Sequence, residues 1–426
     1  MGIVLALIAF VYLTYKAFRL LYTPVGYLRS PYDSRQLMAC SGTEMMLVFI
    51  FATGVMGIMP VLSVRLAILE VLCVLGILYS KRRPIYSVPV VLYFVFMAWT
   101  LIGLTYTPMP GYGVRMMLKY IYPLLVALLA SAVVRDGEIF LKSMTVARWV
   151  AIVSAVIASI PILRALFGQI FWNRAALATH YITMAVFSLG LYYFSNERRR
   201  NLLWFIAFCL PCVLWVFRTD IMGTMIALSA FFVIKYRLKS LPILVVLACL
   251  SVASIFCIPS VKEKMYFRPD EVTVMDFLTN NVDENNINTS GREKGWEDVQ
   301  RWFYEPSKAV GSGTGRVQTW FYEEAVGWQR GGQLHGDFII LMCDNGLIGL
   351  SLYLLMYVAV LVHCIMLYHK QRDPMVRLCA IVAGASLFGV LVTMYSDNTV
   401  SYSMATLSYP WGLYGMALGL VKAKKE

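Results

Sequence analysis

Thirteen apolar stretches, many of them near the ~20 residues a bilayer-crossing helix needs, decide what this chain can become. They fall near 3–21, 45–63, 66–80, 88–106, 116–134, 147–168, 177–195, 202–217, 221–235, 240–258, 346–368, 376–396 and 403–421. Backbone N–H and C=O groups in hydrocarbon need internal partners, and a helix supplies them. With 59% hydrophobic and only 14% charged residues, too little polar surface is left for a soluble globule. The fold class is therefore all-α, a polytopic integral membrane protein. Because several stretches are short, 12–13 transmembrane helices are expected, with one large extracytoplasmic loop. Residues 1–21 read as a first span or as a helix along the membrane surface. They lack the basic leader and cleavage site of a signal peptide. Three parts follow: a helical bundle over 1–258, a loop carrying the site residues over 259–345, and further spans over 346–426.

Orientation comes from Lys and Arg, which accumulate in short cytoplasmic connections. Lys81-Arg82-Arg83, the stretch from Arg135 to Arg148, "NERRRN" at 196–201, "KYRLK" at 235–239, "HKQRD" at 369–373 and the tail "KAKKE" all fall on one side when the spans alternate. The other side receives 107–114, 169–176, the turn at Arg218, the long segment 259–337 and 397–402. That long segment holds nine Lys or Arg against thirteen Asp or Glu, so it carries about −4 while the rest carries about +17. The net charge of +13 thus reports membrane orientation. It is spread over short loops rather than gathered in one patch, which argues against nucleic acid as a partner. No cysteine lies between 258 and 342, so no disulfide framework is expected there. Cys209-Leu-Pro-Cys212 stands mid-membrane and reads as apolar filling.

Within 259–337, "TNNVDENNINTS" is too polar to bury much surface. Trp296, Val299, Trp302 and Phe303 then recur at helical spacing, predicting an amphipathic helix over 291–304 with Ser290 as N-cap and Pro306 beyond its end. "GSGTG" at 311–315 reads as a flexible, close-approach loop. It lacks the strand–helix context of a nucleotide-binding fingerprint, and no cofactor is expected. In "QLHGDFIILMCDNGLIGL", Asp344-Asn345-Gly346 interrupts an apolar run too long for one span. Turn chemistry there separates a short interfacial piece, 335–343, from a full span, 346–368.

Polar residues at membrane depth are functional candidates. Arg218 stands at a tight turn between two spans, Arg292 opens the loop's helix, and His335 opens the short interfacial piece. Each has a structural alternative taken alone: a headgroup anchor, a solvated helix face and a hydrogen-bonded structural histidine. Together they suit one chemistry. Guanidinium groups bind phosphate oxygens bidentately and stay charged, neutralising a pyrophosphate as its bond to carbon breaks. A histidine can accept the proton of an attacking hydroxyl. No carboxylate-rich metal cage is apparent. Arg115, Arg174, His180, Arg316 and Arg330 are further candidates near the same face, with surface or anchor roles as the alternative. Trp320, Phe321, Tyr322 and Trp328 suit stacking on sugar rings or a place at the membrane interface.

Three stretches resemble the bacterial O-antigen ligase and polymerase superfamily. They are Arg218-Thr219 before the small apolar helix "TDIMGTMIAL", "SGREKGW" followed by "AVGSGTG", and "LHGDFIILMCDNGLIGLSLYL". The resemblance covers most of the chain beyond about residue 40 and rests on the order of these motifs. It implies a glycosyltransferase of the GT-C type in the bacterial inner membrane, active at the periplasmic face. The donor would be an undecaprenyl-pyrophosphate-linked glycan, and the acceptor a lipid-linked repeat unit or lipid A–core. By the family pattern Arg218 and Arg292 hold the pyrophosphate, and His335 orients or deprotonates the acceptor hydroxyl with inversion at the anomeric carbon. The family commonly has Asn after this histidine. Here Gly336 and Asp337 follow, and Asp337 either orients the imidazole or caps the short helix. A repeat-unit polymerase is the leading expectation and an O-antigen ligase the second. A flippase for the same lipid-linked sugar is the rival of another class. Transporters often show internal repeats, and none is found here.

Overall fold

The computed structural model describes residues 1–283, 286–288, 292–325 and 333–424. The chain is 76% helical and 3% strand. Helix α1 (Gly2–Leu21) leads into a short hairpin of β1 (Val25–Arg29) and β2 (Leu37–Ser41), antiparallel with Tyr27 opposite Ala39. Helices α2 (Gly42–Thr53), α3 (Leu62–Tyr79), α4 (Val88–Gly103), α5 (Pro110–Val133), α6 (Gly137–Ser159) and α7 (Pro161–Phe167) follow. Then come α8 (Arg174–Phe194), α9 (Arg198–Leu214), α10 (Arg218–Tyr236) and α11 (Leu241–Cys257). The loop region holds short helices α12 (Pro259–Met265), α13 (Val274–Leu278), α14 (Arg292–Val299) and α15 (Arg316–Thr319). The chain closes with α16 (Asp337–Lys370), α17 (Pro374–Thr393) and α18 (Ser408–Ala423).

Every one of the thirteen apolar stretches falls on a helix. Eight helical stretches among the described residues are long and apolar enough to cross a membrane, one of them, Arg218–Cys257, containing both α10 and α11. Other expected spans are shorter: α2 has 12 residues, α4 and α18 have 16 each and α9 has 17. At 1.5 Å per residue, α2 is about 18 Å long, well under the ~30 Å hydrocarbon thickness. The chain turns at Gly54, and Ile58 then adopts a left-handed conformation (φ 47°). Residues 1–21 form one helix that packs on α2, α3 and α7.

The helix starts are set by local chemistry. Ser41 and Glu44 form a reciprocal capping box at α2. The side chains of Asp136, Asn173 and Asp373 accept N–H groups at the first turns of α6, α8 and α17, satisfying donors that have no partner within the helix. α18 lies along α5, α10 along α17 and α16 along both α4 and α17. Between them sits an aromatic core of Tyr93, Phe96, Tyr120, Tyr353 and Trp411 in edge-to-face contact. Such pairs are worth about 0.5–1.5 kcal/mol each beyond their burial.

The interruption at Asp344-Asn345-Gly346 is a kink within α16 rather than a free turn. Gly346 has φ 65° and ψ −171°, and a Cβ there would lie 2.2 Å from the carbonyl oxygen of Ala309. What fills the kink is the 311–315 loop. The Ser312 and Gly313 N–H groups donate to the carbonyls of Cys343 and Asp344 at 2.9 and 3.0 Å. The Asp344 carboxylate accepts from Gly315 N and Val317 N at 2.8 and 2.9 Å. Thr314 Oγ1 lies 2.8 Å from the Thr100 carbonyl on α4. The expectation of a flexible loop is thereby corrected: its backbone is pinned by the kink.

Candidate functional site: an arginine cleft beside a histidine–aspartate pair

The predicted amphipathic helix appears as α14, continued by a π-helical turn, Gln300–Tyr304. Its proposed cap, Ser290, lies outside the described residues. Val299 and Phe303 are buried while Trp302 remains partly exposed. This docking sets Arg292, the first residue of α14, at the mouth of a cleft of about 350 Å³. The opposite wall is the start of α10, whose first residue is Arg218. Two guanidinium groups 74 positions apart in sequence therefore line one cleft. The rest of the lining is mostly apolar, with Met222, Met225, Ile255 and Val261, beside Ser251, Ser254 and Glu293.

Each arginine is positioned by backbone oxygens. Arg218 Nη1 donates to the carbonyls of Lys264 at 2.7 Å and Asn288 at 2.9 Å. Arg292 Nη1 donates to the Ser396 carbonyl at 2.5 Å. The Thr219 and Ser396 hydroxyls meet at 2.8 Å, tying the start of α10 to the segment after α17. A third cation stands nearby. Lys264 at the end of α12 donates to the Val216 carbonyl at 2.7 Å. Its ammonium is held below the ordinary lysine range by burial first, and then by the positive charges of Arg218 and Arg292.

His335 adjoins this cleft through Trp296. The Trp296 ring lines the cleft, and its indole N–H donates to the His335 carbonyl at 2.5 Å. The imidazole Nδ1 lies 3.4 Å from Asp397 Oδ1, with the histidine side chain 42% exposed and the aspartate 13%. At 3.4 Å the two groups face each other without a hydrogen bond, and Nδ1 has no other partner among the described residues. The residue after the histidine is Gly336. It sits at φ 125°, and a Cβ would lie 3.1 Å from both Trp296 Nε1 and the Tyr395 carbonyl oxygen. A side chain there is strained by the backbone and presses on Trp296, whose indole bonds the His335 carbonyl, so these neighbours must give by a few tenths of an ångström.

Several sequence candidates take other roles. Asp337 neither orients the imidazole nor caps its own helix, since Gly336 is the N-cap of α16 and no side chain bonds there. Instead the Asp337 carboxylate, 2% exposed, accepts the Val400 N–H at 2.9 Å and holds the next turn of chain. His180 is fully buried in α8, its Nδ1 2.9 Å from the Ala405 carbonyl and its ring 4.3 Å from that of Tyr409. It is a core residue and does not face the cleft. Arg174 donates through Nε and Nη2 to the Ala158 carbonyl, closing the end of α6, and lies 5.3 Å over Trp215. Arg316 forms a two-pronged pair with Glu324 and lies 4.5 Å over Phe303. Arg115 lies 5.2 Å over Tyr112 on α5, away from the arginine cleft. Trp320 packs among Trp302, Phe303 and Phe321. Arg330 and Trp328 lie outside the described residues.

Asp397, Lys264 and Trp296 belong to the site without having been singled out as site residues. The signal for Asp397 is a polar triplet, Ser396-Asp397-Asn398, between two apolar stretches. No family model matches this chain, and no curated protein matches it either.

Proposed function

We propose that the chain is a polytopic membrane glycosyltransferase that moves a glycan from undecaprenyl pyrophosphate to an acceptor hydroxyl at the periplasmic face, most simply polymerising repeat units. One observation carries this reading: Arg218 and Arg292, far apart in sequence, share a cleft whose lining is otherwise mostly apolar, and His335 is tied to it through Trp296. A planar guanidinium pair matches a diphosphate, and apolar walls suit the start of a lipid chain.

In this reading the His335 imidazole accepts the proton of the acceptor hydroxyl, while Asp397 orients the ring and faces the imidazolium that forms. The acceptor oxygen attacks the anomeric carbon, forming the new glycosidic bond from the side opposite the leaving group. The bond from that carbon to the pyrophosphate oxygen breaks, and its electron pair leaves with undecaprenyl pyrophosphate. The two arginines neutralise the growing charge on the leaving oxygens. Attack from the opposite side inverts the anomeric centre.

Purified protein incubated with a lipid-linked repeat unit tests the proposal. Chain lengthening without added lipid A–core identifies a polymerase, and product only when core is supplied identifies a ligase. His335→Ala and Arg292→Ala are expected to abolish transfer while the protein still inserts and folds. Arg218→Lys loses the two-pronged contact and is expected to lower transfer at least tenfold. Wild-type rates in these variants would remove the site assignment. Uptake of lipid-linked sugar into vesicles with no new glycosidic bond would identify a flippase instead.

A further inference from the structure

We infer that a second subsite, formed by Lys119, Gln333, Asn398, Ser401 and Tyr322, binds the sugar of the acceptor; this deepens the proposed function and rests on it. The chain order locates the subsite. Three consecutive residues after α17 serve three places: Ser396 lines the arginine cleft, Asp397 faces His335, and Asn398 lines a separate notch. On the histidine's own strand of chain, Gln333 and Leu334 line that notch and His335 follows directly. The cleft and the notch share no residue, and His335 and Asp397 each adjoin a notch residue along the chain.

The notch has the chemistry of a hydroxyl-binding site. Lys119 Nζ donates to Ser401 Oγ at 3.3 Å, Gln333 Nε2 to the same oxygen at 3.5 Å, and Asn398 Nδ2 to Gln333 Oε1 at 3.4 Å. All three contacts are at the long end for hydrogen bonds, so an incoming hydroxyl can replace them at little cost. Asn398 is 1% exposed, and its Oδ1 is a buried acceptor with no donor among the described residues, which ordinarily costs about 1–3 kcal/mol. The notch that Gln333, Asn398 and Ser401 share with Val317, Leu334 and Ile340 is about 10 Å³, and Lys119 adjoins it through Ser401. That volume is roughly the size of one water-sized group, so a sugar hydroxyl enters it while the ring lies across its mouth. Tyr322, partly exposed, lines the same notch and is held flat against Tyr112 with ring centroids 5.5 Å apart at 5°. It offers an apolar face to the ring. One ammonium among two amides and a hydroxyl fits a neutral polyol better than a second pyrophosphate, which takes paired guanidinium groups as in the first cleft.

The test uses the full-length protein and two separable substrates. The donor is the undecaprenyl-pyrophosphate glycan extracted from cells that carry this protein. The acceptor is the same repeat unit as its octyl glycoside, which has no pyrophosphate and can only accept. Gln333→Ala and Tyr322→Ala, both at exposed positions, are expected to raise the acceptor KM at least tenfold. Turnover at saturating acceptor and the Kd for undecaprenyl pyrophosphate should stay within about twofold of wild type. Asn398→Asp keeps the shape but leaves two acceptors in place of an acceptor and a donor, and is expected to raise the acceptor KM likewise. An unchanged acceptor KM in all three variants, or an equal loss of donor binding, overturns the subsite while leaving the arginine cleft intact. If wild-type protein binds undecaprenyl pyrophosphate but extends no glycan, the proposed function itself fails and the subsite falls with it.

Discussion

Gly336 is the residue on which the placement of His335 turns. Its backbone lies in the left-handed region at φ 125°, which costs an ordinary L residue about 1–2 kcal/mol, and its surroundings leave no room for a Cβ without movement. Gly336→Asn, which restores the residue common in the resembled family, is therefore expected to destabilise the folded protein by about 1–2 kcal/mol and to lower turnover. A denaturation midpoint in detergent and an activity assay check both. Asp397→Asn removes the charge facing the imidazole and leaves the shape. Turnover is expected to fall about a hundredfold, within the usual range for assisted proton transfer, while the acceptor KM stays constant. A merely structural aspartate would move both. Lys264 makes a prediction about pH. Its ammonium is depressed by burial and by the two arginines, and a bound dianion cancels that repulsion, so binding takes up a proton. Affinity for undecaprenyl pyrophosphate should then weaken as pH rises through the lowered Lys264 value, a window that begins below the ordinary lysine range. Lys264→Gln should flatten that slope in a binding titration. At this scale Arg218, Arg292 and His335 were legible in the sequence because charge stands out against apolar neighbours. Asp397 was not, because Asp337 is nearer along the chain, and only the packing of α17 against α16 decides which carboxylate meets the ring.

At the scale of elements, the kink in α16 and the 311–315 loop form one unit. The sequence shows each half: a run too long for one span, and a glycine-rich stretch. What it conceals is that one half supplies the hydrogen-bond partners of the other, since no periodicity links position 315 to position 344. The Asp344 carboxylate satisfies two backbone N–H groups, those of Gly315 and Val317, in a region where water is scarce. Removing it leaves two buried donors without partners, at about 1–3 kcal/mol each. Asp344→Ala is therefore expected to destabilise the protein by a few kcal/mol and to expose residues 305–325 to protease before the rest of the bundle melts. Asp344→Asn keeps one carbonyl acceptor and should lose about half as much. The short helix α2 shows the same limit from the other direction. Its apolar run continues to residue 63, but Gly54 and the left-handed Ile58 end the helix early. Hydropathy reports where a chain is apolar without reporting where its backbone turns.

Across the whole molecule, the connections sort into two ends. Lys422 Nζ donates to the Arg83 carbonyl, Lys424 pairs with Asp373, and Arg148 Nη1 donates to Asn201, gathering the basic connections. At the other end Tyr106 OH donates to the Val310 carbonyl, Trp172 packs on Tyr402, and Thr219 meets Ser396, gathering the acidic loop, the cleft and the notch. The helices thus alternate in direction as the lysine and arginine pattern requires, and the proposed orientation, with the basic end toward the cytoplasm, rests on that pattern. Thiol labelling checks the assignment in living cells. Cys249→Ala and Cys257→Ala remove the two exposed native thiols. In that background Met275→Cys, on α13, should react with a membrane-impermeant maleimide in intact cells. Leu238→Cys, in the basic "KYRLK" connection, should react only after the membrane is opened. Both positions are well exposed, so a difference between them reads sidedness rather than burial. The reverse pattern would put the two guanidinium groups in the cytoplasm, where they could not meet a lipid-linked glycan displayed on the outer leaflet. The orientation of the bundle and the chemistry of the cleft therefore stand or fall in one labelling experiment.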